Sequence, residues 1–302
     1  MQLEKILDAC PHREAITKGW SSDKKYRISG CEGNSYLLRV SALPTLAAKQ
    51  TEFAMMCKTA ETGIPMCRPV AFGVTEEGVC SVQEWIEGDD LEAVLPSKTT
   101  GEQYRLGLLA GEYLAKIHTV PAPDTQPDWE VHFNRKIDRK LSIYADCPLQ
   151  YDRGNAFVAY LQENRHLLAG RPQTFHHGDY HTGNMMLDTD GNLVIIDFNR
   201  ADFGDPWEEF NRIVWSAQLS PAFASGTVDG YFMGEIPETF WRLLALYICS
   251  NTLSSLPWAI PFGEDEIATM RRQADEVLDW YDGMTRVIPS WYQRGWEVRK
   301  CT

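Results

Sequence analysis

A chain of 302 residues is long enough for one large domain or two lobes around an ample core. Its 44% hydrophobic and 24% charged residues are ordinary for a globular protein, and a net charge of −13 argues against nucleic acid and anionic membrane as partners while favouring cationic ligands. Eight cysteines without a C-x-x-C pair fit reduced thiols in the cytoplasm, no apolar run approaches a membrane span, and Met1 to Arg13 lacks a signal-peptide core.

Leu3 to Ala9 reads as a short helix, followed by Pro11. From Ile16 the text changes to strand and turn, with a Ser-rich loop from Gly19 to Lys24 and then the run S-Y-L-L-R-V ending near Arg39. Exposed N–H groups in such a loop, about Ser21 and Ser22, can cradle phosphates. A helix is expected from about Pro44 to Glu61, then strands over Val70 to Val74 and Val79 to Trp85 around a turn at Glu76-Glu77-Gly78. Thr100 and Gln103 have capping-box spacing and start a helix that runs to about His118. The Pro-rich stretch Val120 to Asp128 is a loop, and Trp129 to Tyr144, basic and amphipathic, and Asn155 to Ala169 are helices.

The stretch from Phe175 to Arg200, F-H-H-G-D-Y-H-T-G-N-M-M-L-D-T-D-G-N-L-V-I-I-D-F-N-R, organises the chain. Asp190-Gly191 between two apolar runs signals a two-residue hairpin loop. Counting outward from that loop sets Asn184 opposite Asp197, with Asp179 in a loop between Gly178 and Gly183 folding over the same end. Two carboxylates and an amide oxygen suit magnesium, with one carboxylate left as a base. A hydrolase-type cluster of His176, His177, Asp179 and His181 is the competing reading, but its spacing does not match and it leaves the hairpin unexplained. Further on, Asp205, Pro206 and Glu208 read as a capped helix start, and Pro237 to Leu256 and Glu264 to Val287 as two long helices.

Asp179 followed five residues later by Asn184, then a hairpin ending in Asp197-Phe198, resembles the catalytic and metal-binding loops of the kinase fold. The version here, H-G-D-Y-H-T-G-N with D-F-N-R, resembles the aminoglycoside phosphotransferase and choline kinase-like family more than protein kinases, with Gly178 where protein kinases carry Arg. The resemblance implies an α+β, two-lobed protein-kinase-like fold: a small antiparallel-sheet lobe over 1–87 that binds nucleotide, and a mainly helical catalytic and acceptor-binding lobe over 88–302. It implies that Asp179 is the catalytic base, that Asn184 and Asp197 hold Mg2+, and that Arg39 replaces the phosphate-binding Lys with Glu52 as its partner. Ser21 and Ser22 would cover the phosphates, and the backbone about Gln83, Trp85 and Ile86 would meet the adenine. His177 would brace the loop, and His118 would be a buried structural histidine. The acceptor would lie against the C-terminal helices, near Asp202, Glu208, Asp229 and Trp280. Asn199, where the family commonly has Gly, weighs against a flipping activation loop.

The expected activity is transfer of the γ-phosphate of ATP, with GTP left open, to a hydroxyl of a small cationic molecule. An aminoglycoside leads, and a choline, amino-alcohol or sugar kinase and a nucleotide-binding pseudokinase stand as alternatives. A monomer or weak dimer is expected.

Overall fold

The computed structural model describes residues 2–17, 23–30 and 33–295, so Ser21 and Ser22 lie outside the described residues. In chain order come α1 (Leu3–Ala9), β1 (His12–Ile16), β2 (Lys24–Ser29), β3 (Ser35–Ser41), α2 (Leu46–Glu61), β4 (Pro69–Thr75), β5 (Gly78–Glu84), β6 (Gly88–Asp90) and α3 (Leu91–Val94). Then follow α4 (Thr100–Ile117), α5 (Trp129–Ala145), α6 (Asn155–Asn164), β7 (Thr174–His176), β8 (Met185–Asp188), β9 (Leu193–Ile195) and β10 (Asp202–Gly204). The chain closes with α7 (Ile213–Leu219), α8 (Pro221–Phe232), α9 (Glu238–Ala259) and α10 (Glu264–Trp280).

Two compact units form: Met1–Val94 with His177–Asp179 and Gly183–Asp202, and Leu95–His176 with Tyr180–Thr182 and Phe203–Thr302. The division therefore differs from the expected break after residue 87. β6 pairs with β8 and Met66 bridges Ile195, so backbone hydrogen bonds bind the organising hairpin into the first unit.

The first unit is built on a five-stranded sheet of order β1-β2-β3-β5-β4, every pair antiparallel. Alternation along the strands gives it two distinct faces. Ile28, Leu38, Val40, Cys80 and Val82 pack with Leu3, Ile6 and Cys10 of α1 into one buried cluster. Arg39, one residue out of phase with Leu38 and Val40, projects from the other face, as does its cross-strand neighbour Ser81.

The second unit is mainly helical. α4 and α8 cross so closely that a Cβ built on Gly107 or Gly111 would lie 2.1 Å from the Phe223 or Thr227 carbonyl oxygen, and one on Gly230 2.1 Å from the Leu108 oxygen. Glycine here is a packing requirement. The α4 cap is one residue earlier than expected: Thr99 accepts from the Glu102 amide, and the Glu102 side chain returns to the Thr99 amide at 2.8 Å. Glu displaces Gln because an ionised acceptor makes the stronger bond to an amide at a helix N-terminus. Asp205 also departs from expectation. Its fully buried carboxylate takes Arg171 in a two-pronged pair at 2.7 and 2.8 Å, the Tyr247 hydroxyl at 2.6 Å and the Trp207 amide at 3.0 Å. The segment after it is a 3-10 turn over Glu208–Arg212 before α7. Glu238–Phe262 has the length and composition of a membrane span, contrary to the expectation from the sequence, yet 67% of its most apolar window is buried inside the unit. It is placed as a core helix.

Candidate active site

The hairpin that carries the site closes through three loop residues, not two. The Asp188 amide donates to the Asn192 carbonyl at 3.0 Å, and the Gly191 amide to the Asp188 carbonyl at 2.9 Å. Gly191, at φ 83, supplies the left-handed residue that such a loop needs. The Asp188 carboxylate accepts from the Asp190 and Asn192 amides at 3.0 and 2.8 Å, a side-chain turn that stabilises the longer loop. Met185 therefore pairs with Ile195, and the register is shifted by one from the expected alignment of Asn184 with Asp197. Asn184 instead faces Ile196, whose amide donates to the Asn184 carbonyl at 3.0 Å. Asp197 lies one residue beyond, at φ 66, so a left-handed backbone and not the ladder sets its direction.

Local hydrogen bonds fix the loop around Asp179. His177 is fully buried; its Nε2 donates to the Ile196 carbonyl at 2.8 Å, leaving Nδ1 to accept from the Asp179 amide at 3.3 Å. This is the bracing role expected of it. The Asn184 amide nitrogen donates to the Asp179 carbonyl at 2.8 Å; Oδ1 is the atom of that side chain with the chemistry to ligate a cation. A Cβ on Gly178, at φ 86, would sit 1.9 Å from the Arg200 carbonyl oxygen. Glycine before Asp179 is thus dictated by a backbone approach. Arg200 itself stands 3.7 Å from the Asp179 carboxylate.

Arg39 is 3% exposed and donates from Nη1 to Asp197 at 2.6 Å. Its Nε lies 3.6 Å from Asp23, too long for a hydrogen bond, so Nε and Nη2 remain buried donors without an acceptor. The expected Arg39–Glu52 pair is not formed. Lys49, one turn before Glu52 on α2, reaches Glu52 at 3.0 Å and Asp23 at 3.1 Å and stands in for Arg39. Burial tends to raise the Asp23 carboxyl, but hydrogen bonds from Ser41 and Lys49 and the charges of Lys49 and Arg39 outweigh it and hold it low. Burial raises Glu52, with Lys49 and Arg39 acting against it. Burial also works against the Arg39 charge, but Asp197, Asp23 and Glu52 more than restore it. Cys67, hydrogen-bonded by the Asp197 backbone, is pushed up to about 12 by burial and stays a neutral thiol. Asp23 and Lys49 were missed from sequence; the K-x-x-E spacing of Lys49 and Glu52 was the available signal.

On β5, Gln83 is 1% exposed with its amide oxygen unpaired, and the buried Trp85 indole N–H is likewise unpaired. Arg27 stacks 4.8 Å from the Trp85 ring and pairs with Glu87. Ladder pairing ends at Glu84, so the peptide groups of Trp85 and Ile86 lie beyond the sheet.

The phosphotransferase enzyme family matches residues 12–244. The chain belongs to that family. Solved structures agree in fold. A choline/ethanolamine kinase family protein from Mesorhizobium loti superposes with a TM-score of 0.64 at 15% identity, covering 91% of each chain. A thermostable mutant of aminoglycoside phosphotransferase APH(4)-Ia, in ternary complex with ADP and hygromycin B, gives 0.64 at 16% identity over 92% of this chain and 96% of that one. Amicoumacin kinase hAmiN with AMP-PNP, Ca2+ and Ami gives 0.64 at 15% identity over 96% and 94%. The fold is protein-kinase-like, and this phosphotransferase is α+β as expected.

Glu208 and Asp229, two of the side chains expected near the acceptor of this phosphotransferase, are held by other side chains. Glu208 is held by Lys136 at 3.1 Å and lies 3.8 Å from His176. Asp229 accepts from the Tyr104 and Tyr292 hydroxyls at 2.7 and 2.6 Å, which engages both of its oxygens and ties α4, α8 and the C-terminal segment together. Trp280 is half-buried at the end of α10, and its carbonyl accepts from the Ser290 amide at 2.9 Å. Asp202 is exposed at the start of β10. No hydrogen bond or ring contact among the described residues joins Glu208, Asp229 and Trp280. His118 is buried with Nδ1 3.0 Å from the Tyr231 hydroxyl, the structural placement expected of it.

Proposed function

We propose that this phosphotransferase transfers the γ-phosphate of ATP to a hydroxyl of a small amine-bearing molecule, with aminoglycosides the first class to test. The observation that carries the nucleotide half is Arg39: a buried guanidinium paired to Asp197 that keeps two donors without acceptors. A guanidinium fork of this kind matches phosphate oxygens. Gln83 and Trp85, with their unpaired buried polar atoms, support a base-binding role for the adjoining segment.

Among the described residues no group of three or more His, Cys, Asp or Glu is gathered into a metal site. One amide oxygen and one carboxylate, Asn184 and Asp197, nevertheless fit magnesium, which takes few protein ligands and completes its shell with water and phosphate. Bound there, the ion would neutralise phosphate charge. Asp179, held by His177 and Asn184, orients the acceptor hydroxyl and accepts its proton as that oxygen attacks the γ-phosphorus and ADP leaves.

Support for an amine-bearing acceptor comes from the charge of −13 and from folds shared with aminoglycoside and choline/ethanolamine kinase-family proteins. Scattered cysteines without C-x-x-C spacing support a cytoplasmic setting. The test is ADP and GDP release with magnesium against aminoglycosides, other amine-bearing antibiotics, choline and amino alcohols. Asp179→Asn is expected to lower turnover about 10²- to 10⁴-fold. Near-full activity in that variant on a verified acceptor would refute the assignment of Asp179.

A further inference from the structure

On the sheet face opposite the apolar cluster, Arg39 and Lys49 meet three carboxylates, those of Asp23, Glu52 and Asp197. Lys24 pairs with Val40 and Lys25 with Arg39, so Asp23 falls opposite Ser41 at the end of the β2–β3 ladder. Residues two apart along a strand share a face, which sets Asp23 diagonally across from Arg39.

An arginine presents its Nε–H and one terminal nitrogen as a side-on fork, and that edge is the one left over here. Nη1 is taken by Asp197 at 2.6 Å, while Nε and Nη2 are buried donors without an acceptor. Asp23 Oδ2 stands 3.6 Å from Nε, beside this edge but beyond bonding range. A buried carboxylate next to a guanidinium ordinarily closes on it in a two-pronged pair, as Asp205 does with Arg171 at 2.7 and 2.8 Å. What differs at Asp23 is Lys49. Its ammonium bonds the same Oδ2 at 3.1 Å and is anchored to Glu52, one turn along α2, at 3.0 Å.

We infer, resting on the phosphate role of Arg39, that Lys49 is a positioning residue: it holds Asp23 off the Nε–Nη2 edge and keeps that edge open for nucleotide phosphate. Asp23 is near enough to orient the guanidinium by its charge, and Lys49 decides whether it also occupies the fork. Phosphate oxygens and the Asp23 carboxylate are rival acceptors for one pair of donors. Freeing Asp23 from Lys49 therefore weakens the nucleotide.

The probe is ADP with magnesium, titrated calorimetrically into the full chain, with urea midpoints measured on every variant. Lys49→Met should weaken ADP about tenfold, the loss of one charge-assisted contact to Asp23. Asp23→Asn should bind ADP at least as tightly as wild type, because a neutral amide competes poorly for the fork. The deciding variant combines the two. With Asp23→Asn present, Lys49→Met should return to within about threefold of wild type, since there is no longer a carboxylate to restrain. A Lys49 that only braced α2, or that touched phosphate itself, would leave the double variant as weak as Lys49→Met, and that result overturns the latch. So does Lys49→Met at full affinity, or Asp23→Asn weaker than wild type, a comparison that stands even if Lys49→Met does not fold. Should Arg39→Met bind ADP as tightly as wild type, the phosphate role of Arg39 fails and the latch falls with it. A weakened Arg39→Met beside an unaffected Lys49→Met sinks the latch alone.

Discussion

Gly178 and Gly191 both hold left-handed backbone, at φ 86 and 83, yet they should respond differently to replacement. A Cβ at Gly191 meets nothing within 4 Å, so Gly191→Ala is expected to cost about 1–2 kcal/mol, the left-handed penalty alone. At Gly178 the same change adds a collision with the Arg200 backbone and moves Asp179. Gly178→Ala should therefore lose activity as well as stability, read by chemical denaturation and ADP release side by side; equal effects at both sites would contradict this account. Lys140 offers a pH test. Its folded pKa is depressed to about 7 from 10.5, so the folded state binds fewer protons between those values and stability rises with pH there. That contribution is lost as pH falls through about 7. Relative to Lys140→Met, wild type should gain unfolding free energy from pH 7 to 10, measured by urea denaturation. A flat difference would show that burial and the like charges of Lys136, Arg212 and Arg139 do not depress the ammonium.

Helices and strands here are joined by features that local pattern only half reveals. The α4–α8 crossing depends on Gly107, Gly111, Gly226 and Gly230, each facing a carbonyl of the other helix. At an exposed helix position Gly→Ala stabilises by about 1 kcal/mol. Gly230→Ala should reverse that sign, with a net loss of about 1–2 kcal/mol, because its Cβ would lie 2.1 Å from backbone that cannot yield. The check is a lower urea midpoint at unchanged slope. The hairpin teaches a related point. Asp190-Gly191 announced a turn correctly, but the Asp188 side chain captured two loop amides and lengthened the loop by one residue. Such a slip exchanges the faces of every residue on the strand. The slip does not set the directions of Asn184 and Asp197, because the 3-10 turn at Thr182–Asn184 and the left-handed Asp197 lie outside the ladder.

For the molecule as a unit of stability, the proposed ligands should act by mass action. ATP with a divalent cation at about 100 times its Kd is expected to stabilise the folded state by about 2.7 kcal/mol, visible as a raised Tm. Asp197→Asn should remove the cation-dependent part of that rise, while ATP alone still stabilises through Arg39. An equal rise with and without cation in wild type would count against Asn184 and Asp197 as metal residues. The net charge of −13 gives a field that attracts cations, but of the three carboxylates singled out for the acceptor Glu208 is committed to Lys136 and Asp229 to two tyrosines. Bulk charge is a statement about encounter, and recognition belongs to particular side chains.

Spacing along the chain placed Asn184 and Asp197 on one hairpin and ordered the strands and helices, while the resemblance of H-G-D-Y-H-T-G-N and D-F-N-R to small-molecule kinases pointed to the fold and singled out Asp179 and Arg39. The hairpin and the order of the elements rest on turn chemistry, strand alternation and helical periodicity, which act over a few residues and are written directly in the text. The partners were another matter. Arg39 pairs with Asp197, 158 positions away, and Lys49 takes the Glu52 carboxylate expected to bind it. Asp205 joins Arg171 and Tyr247, and Thr99 displaces Thr100 as a cap. A long charged side chain can reach several acceptors of equal chemistry, and the one it takes is set by distances that exist only after the chain has folded.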